Sequence, residues 1–315
     1  MRKLCYVGID LGGTTVKAVR LADDEVGVVE RIPTLGRESP GRILDDIAHL
    51  VTKVAAGASI ASVGIAMPGL VDPVTGSNSF AGNLRWRDVA VREELEKRLK
   101  VPVVAENDAN AAALGEHSHG LTVGVSDFLF LSLGTGIGGG VFAGGHLLSG
   151  CRGAAGEIGH MILSPQGPRC SCGSNGCLEA LAGGWAIIRD AQAAIKQGQE
   201  TVLNRLAACG EPLDVKAVAE AARSNDAVAR EIICRALFWL GLGVANAVNL
   251  LNPSLVVLGG GLSLMGDPLL EAVRDAVATY GMPTQRESVR IELSQLKDYA
   301  GVLGAVELAR RSQII

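Results

Sequence analysis

The stretch Leu131–Gly140, L-S-L-G-T-G-I-G-G-G, constrains this chain more than any other. It follows the apolar run Phe128–Leu131 and leads into Val141 and Phe142, so it joins one strand to the next. Glycine there leaves backbone N–H groups uncovered and admits positive φ, which a loop wrapping a phosphate requires. Gly134, Gly136 and Gly139 also satisfy G-x-G-x-x-G, but that fingerprint needs a helix after the glycines and this chain returns as a strand. No G-x-x-x-x-G-K-[ST] segment occurs. Taken alone, the stretch reads equally as a glycine-rich hairpin. A second glycine turn far upstream, Asp10-Leu11-Gly12-Gly13-Thr14, favours phosphate.

The two turns open two similar runs. In the first, Leu4–Asp10 reads as a buried strand ending in a carboxylate, followed by strands over Val16–Leu21 and Val26–Ile32. A helix over Pro40–Ala56 follows from the spacing of Ile43, Leu44, Ile47 and Val51. Then come a strand over Ala61–Met67, a charged helix over Arg87–Leu99 and a strand over Val101–Ala105. Glu106-Asn107-Asp108 opens an alanine-rich helix.

The second run has strands over Asp127–Leu133, Gly140–Ala143 and His146–Leu148. After an insertion over roughly Gly150–Asn252, it resumes with strand Ser254–Leu258, helix Asp267–Tyr280, strand Val289–Leu293 and helix Ala300–Arg311. Such a duplicated α/β unit sets its turns across a cleft at the carboxyl ends of strands. Within the insertion, Ala227–Asn249 is apolar over a broad face and is expected to be a buried helix.

At 315 residues the chain has room for about two domains, and 48% apolar against 20% charged residues make it globular. A net charge of −4 without a basic block argues against nucleic acid or a membrane surface as partner. No run of transmembrane length and no signal peptide are read, so a cytoplasmic location is expected. Seven cysteines, three of them between Cys170 and Cys177, favour metal binding over a disulfide framework.

Four groups carry chemistry. Asp10, beside Gly12, Gly13 and Thr14, puts a carboxylate able to hold Mg²⁺ through water next to phosphate-binding N–H groups; a strand-end Asp stabilising its own turn is the simpler alternative. Gly259, Gly260 and Gly261 let a flat adenine approach the backbone. Asp108 sits at a strand-to-helix junction, where it serves as an N-cap, as the base that accepts an alcohol proton in phosphoryl transfer, or as both. His160 with Cys170, Cys172 and Cys177 is a Cys₃His set suited to structural zinc. Glu157 and Glu179 flank that set, and zinc would pin both carboxylates; they suit sugar hydroxyls, and as catalytic bases they compete with Asp108.

The motifs at Asp10–Thr14, Glu106-Asn107-Asp108-Ala109-Asn110, Leu133–Gly140, Glu157-Ile158-Gly159-His160 and Cys170/Cys172/Cys177 resemble the ROK family of sugar kinases and regulators, collinearly over nearly the whole chain. The resemblance implies an actin-like, hexokinase-like fold with ATP and Mg²⁺ in the cleft and structural zinc. Its two lobes would be 1–107 plus 301–315 and 108–300. It also implies Asp108 as base and sugar contacts from Asn83, Asn107, Asp108, Glu157, His160 and Glu179. ATP would meet Asp10, Gly12, Gly13, Thr14, Gly134, Thr135, Gly136, Gly259, Gly260 and Gly261. A homo-oligomer, dimer or tetramer, is implied as well.

Within the family the chain is most similar to bacterial glucokinases, through Ala66–Asp72 and Gly82-Asn83-Leu84-Arg85-Trp86, although many relatives carry Gly where Arg85 stands. The expected activity is transfer of the γ-phosphoryl group to O6 of glucose, with an N-acetylhexosamine or another hexose as the alternative substrate. A sugar-responsive regulator needs a helix-turn-helix domain, and only Met1–Lys3 precede the first strand; an actin-like ATPase needs no sugar site.

Overall fold

The structure is a computed structural model that describes residues 4–34, 39–210 and 212–312. The chain opens with β1 (Leu4–Leu11), β2 (Thr15–Ala22), β3 (Glu25–Val26) and β4 (Glu30–Pro33). Asp23 and Asp24, at φ 52° and 61°, form the tight turn between β2 and β3. The strand expected over Val26–Ile32 is two short pieces, because Val26 pairs with Leu21 and Glu30 with Ala18, so the register on β2 shifts by one residue between them. Helix α1 (Pro40–Ala55) starts at Ser39, whose Oγ accepts from the Arg42 N–H, with Pro40 in the first turn, and it buries Ile43, Leu44, Ile47, Leu50 and Val51.

Next come β5 (Ser59–Met67), β6 (Leu70–Val71), β7 (Asn78–Ala81), β8 (Trp86–Val89), α2 (Val91–Leu99), β9 (Val103–Asn107) and α3 (Asp108–His119). The helix expected from Arg87 starts only at Val91, since Trp86–Val89 is a strand. Trp86 is buried, and Arg87 pairs across the hairpin with Phe80, its guanidinium 5.4 Å from that ring. Burial and the cross-strand pair override the charge pattern that suggested a helix.

The remaining elements are β10 (Phe128–Leu133), β11 (Ile137–Ala143), β12 (His146–Leu147), α4 (Leu178–Ala182), α5 (Gly184–Lys196), α6 (Leu203–Ala208), α7 (Val215–Arg223), α8 (Ala227–Leu251), β13 (Leu255–Gly259), α9 (Asp267–Tyr280), α10 (Pro283–Ser288), β14 (Arg290–Leu293) and α11 (Ala300–Arg311). One sheet runs β3-β2-β1-β5-β9, with β4 also on β2; a second runs β12-β11-β10-β13-β14. The two orders correspond strand for strand, so the duplicated α/β architecture read from the sequence is present. A small sheet, β6-β7-β8, is added to the first repeat.

The chain divides into two compact units: Met1–Phe130 with Gly140–Gly156 and Gln295–Ile315, and Leu131–Gly139 with Glu157–Ser294. In the first unit, Val7, Ile9, Ile47, Val63, Ile65, Trp86 and Leu95 are among the side chains of one continuous core. Helix α11 lies on α3, β1 and β5; Gly304 sits so close to the Ala111 carbonyl that a Cβ there would overlap it. Residues 313–315 of the closing segment, like Met1–Lys3, lie outside the described residues.

In the second unit, α8 packs against α4, α5, α7 and α9. The expectation that no segment reaches membrane-spanning length is corrected here, since α8 is long and apolar enough by length and composition. Its burial of Ile232, Ala236, Leu240, Val244 and Val248 makes it the core helix of its unit.

Candidate active site

In the first unit the site residues gather at the carboxyl ends of three adjacent parallel strands. Asp10 of β1 pairs with Ala66 of β5, which pairs with Glu106 of β9. Strands about 4.8 Å apart place Asp10 and Glu106 about 10 Å from each other. Gly12 donates to the Thr15 carbonyl at 3.0 Å, and Thr34 clamps the turn through Oγ1 to the Gly12 carbonyl at 2.8 Å. Gly13 and Thr14 are left exposed at the tip.

Lys17, which sequence reading missed, donates from Nζ to Asp10 Oδ2 at 3.1 Å and to the Asp298 carbonyl at 2.6 Å. Burial pushes the Asp10 carboxyl up, Lys17 opposes that, and Asp298 adds to it. The signal was available: across a tight hairpin, Lys17 is the register partner of Asp10. Asn83, on the turn between β7 and β8, brings its side-chain amide beside Gly13.

Asn107 is the N-cap of α3, its Oδ1 accepting from the N–H groups of Ala109 at 2.9 Å and Asn110 at 3.1 Å. Its Nδ2 donates to the Gly69 carbonyl at 3.0 Å. Glu106 braces the junction, Oε1 accepting from the Asn107 N–H and from Asn110 Nδ2. Burial raises the Glu106 carboxyl and those two donors oppose the rise. Asp108 is therefore the first helical residue and not the cap; its half-buried carboxylate accepts from the Ala109 N–H at 2.9 Å.

In the second unit the glycine turn is held by its own acceptors. The Gly184 N–H donates to the Gly134 carbonyl at 3.1 Å and the Trp185 N–H to the Thr135 carbonyl at 3.0 Å, both from the start of α5. Gly134 and Gly136 close the turn with a 2.9 Å backbone bond, and Thr135 is exposed at its tip. Gly260, at φ 81°, packs on the Leu133 backbone, which brings Gly259–Gly261 beside this turn.

His160, Cys170, Cys172 and Cys177 offer ligand atoms all within 4.8 Å of one another. Cys172 and Cys177 Sγ are 3.6 Å apart, as are Cys170 Sγ and His160 Nδ1. A tetrahedral zinc with Zn–S about 2.3 Å and Zn–N about 2.0–2.1 Å has ligand–ligand edges of about 3.6–3.8 Å, so these residues fit the ion. The backbone N–H of Ser174 draws the Cys172 thiol down to about 7, while burial pushes Cys177 up to about 12. A bound dication would hold both as thiolates.

With Nδ1 directed to Cys170, His160 keeps Nε2, which lies 3.8 Å from Glu157 Oε2. Burial raises the Glu157 carboxyl, with His160 opposing and Glu179 adding to the effect. Glu179, at the start of α4, accepts from the Ile137 N–H at Oε2 and from Ser171 Oγ and Trp185 Nε1 at Oε1. Ser171 and Trp185 were not singled out from the sequence; nothing in their spacing marks them.

The sequence profile of the ROK family matches residues 6–312. A glucokinase of Thermotoga maritima is 37% identical over 98% of this chain and 98% of its own. A glucokinase of Halalkalibacterium halodurans is 36% identical over 98% of this chain and 96% of its own. The crystal structure of a ROK family glucokinase from Streptomyces griseus in complex with glucose and AMPPNP has a TM-score of 0.84 at 33% identity, covering 98% of this chain and 99% of that one.

Proposed function

The chain belongs to the ROK family, and from that premise we propose that it is an ATP-dependent sugar kinase that phosphorylates glucose at O6, with Asp108 as general base. Asp108 carries this reading. It stands in the first turn of α3 beyond the end of β9, where Asn107 is the cap and the Asp108 carboxylate accepts from the Ala109 N–H. The positive end of the helix favours an ionised carboxylate there.

In the reaction, Asp108 takes the proton of the primary hydroxyl as the sugar oxygen bonds to the γ-phosphorus. The bond from that phosphorus to the bridging oxygen breaks, and ADP leaves with the electron pair. Asn83, Asn107, Glu157, His160 and Glu179 are assigned to the other sugar hydroxyls. The N–H groups around Gly12, Gly13, Thr14, Gly134, Thr135 and Gly136 are assigned to phosphates, and Gly259, Gly260 and Gly261 to the adenine. Asp10 is assigned to Mg²⁺, which would screen the phosphate charge. His160, Cys170, Cys172 and Cys177 would hold zinc, which would position the neighbouring carboxylates.

A coupled ADP-release assay across glucose, mannose, fructose, allose, N-acetylglucosamine and N-acetylmannosamine tests the substrate. Glucose is expected to give the highest kcat/KM. An N-acetyl sugar in that place overturns the glucose assignment and leaves a kinase of the same family.

A further inference from the structure

Glu179 has one carboxylate oxygen on each of two loops. Oε2 accepts from the backbone N–H of Ile137 at 3.0 Å, at the closing end of the glycine turn. Oε1 accepts from Ser171 Oγ at 3.3 Å and Trp185 Nε1 at 3.4 Å, with Cys170 Sγ 4.0 Å away. Ser171 lies between two of the metal-ligand cysteines, so the carboxylate touches the metal loop directly.

On the other side the fit is closer still. A Cβ on Gly136 would overlap Glu179 Oε2, so the carboxylate lies directly against the backbone of the turn. The turn's other two ties, from the Gly184 and Trp185 N–H groups, come from the main chain of α5. The tie at Ile137 is made by a side chain, and that side chain is set by the cysteine loop.

Resting on the kinase reading above, we propose that Glu179 is a positioning residue that fixes the glycine turn to the cysteine loop, so that filling the metal set governs nucleotide affinity as well as sugar affinity. A carboxylate bonded at both ends has little freedom to shift. Loss of the metal frees Cys170–Cys177 and lets Ser171 swing, and the carboxylate then follows one loop or the other. The turn loses the bond that holds the Ile137 peptide and, with it, the orientation of the N–H groups at its tip.

Glu179→Gln cuts the link with little change of shape. A carboxamide has one acceptor end and one donor end, so whichever way it turns, its NH₂ faces the N–H of Ile137 or that of Trp185. Calorimetric titration of Mg·AMPPNP, and separately of glucose, is made on zinc-loaded and chelator-treated wild type and variant, with zinc content measured by elemental analysis.

In the wild type, zinc removal is expected to weaken AMPPNP binding about fivefold or more. Glu179→Gln, still zinc-loaded, should weaken it about tenfold, as loss of a charge-assisted hydrogen bond does. Zinc removal from the variant should then add less than about twofold, because both changes break the same link. A residue with a merely structural role does not give that non-additivity.

Trp185→Phe and Ser171→Ala, which leave the carboxylate in place, should each give a smaller loss of the same kind and serve if Glu179→Gln does not fold. AMPPNP affinity indifferent to these substitutions overturns the coupling alone, as does a zinc effect of equal size in wild type and variant. Wild-type protein that binds no AMPPNP overturns the kinase reading and the coupling together.

Discussion

Asn107 caps α3 and thereby leaves Asp108 beside it without that duty: Asn107 Oδ1 receives the N–H groups of Ala109 and Asn110, and Asp108 begins the helix proper. Asp108→Asn should keep the melting temperature and the sugar affinity while turnover falls by roughly two orders of magnitude or more, the usual size of a general-base contribution. Turnover near wild type, with intact sugar binding by calorimetry, would remove Asp108 from that role.

The mutual spacing of His160, Cys170, Cys172 and Cys177 leads to a second expectation. Elemental analysis should find one zinc per chain, and Cys172→Ser should release it. Cys172 is exposed and its thiol is drawn down to about 7, so it ionises easily and gives a thiolate ligand at neutral pH. Because a structural zinc contributes directly to folding, the metal-free variant should melt several degrees lower. Purified protein with full stability and no bound metal would show that the four residues serve only as packing.

Much of this was legible in the residues themselves. Asp10, Gly12, Gly13 and the glycine run at Gly134 are short-range signals, since each records a turn the backbone must make. The strand order followed from those turns and from apolar periodicity, and both sheets carry it. What the sequence hid is what depends on contacts between distant segments. The Arg87–Val89 segment reads as helix by charge, yet burial of Trp86 and the pairing of Arg87 with Phe80 make it a strand. Capping by Asn107, not Asp108, could not be told from composition, because both residues are good caps. The bonds from Glu179 to Ile137 and Trp185 join segments far apart in the chain, and no local pattern announces them.

Arg85 closes the turn after Asn83 with φ 56°, a left-handed conformation for a bulky side chain. Its N–H is held by the Gly82 carbonyl at 3.3 Å, so the turn imposes the angle. For an L-residue that conformation costs roughly 1–2 kcal/mol, of which glycine returns part as unfolded-state entropy. Arg85→Gly should therefore raise stability by about 0.5–1 kcal/mol in urea denaturation, and Arg85→Val should lower it. Equal stability of the two variants would mean that the turn relaxes to another conformation.

Glu307 of α11 is buried, and its carboxylate accepts from Arg310 at 2.7 and 2.8 Å and from Arg311 at 2.7 Å. Burial pulls its carboxyl upward, but the two guanidiniums outweigh that, and the group ends below its ordinary value. A carboxylate lowered in the folded state binds its proton more weakly there than in the unfolded chain, where Glu titrates near about 4.3. Its contribution is therefore complete above that value and is lost as pH falls through the lower, folded one. Glu307→Gln should cost about 1.5–3 kcal/mol at pH 7, the range for hydrogen bonds to charged groups. The gap between wild type and variant in denaturant melts should hold from pH 7 to about 5 and close steadily below about 4.3, where the unfolded chain's carboxylate takes up its proton while the folded one, lowered by its arginines, does so only at more acid pH. A gap of constant size down to the acid limit would show that the charge of Glu307 contributes nothing and that its buried packing accounts for the whole loss.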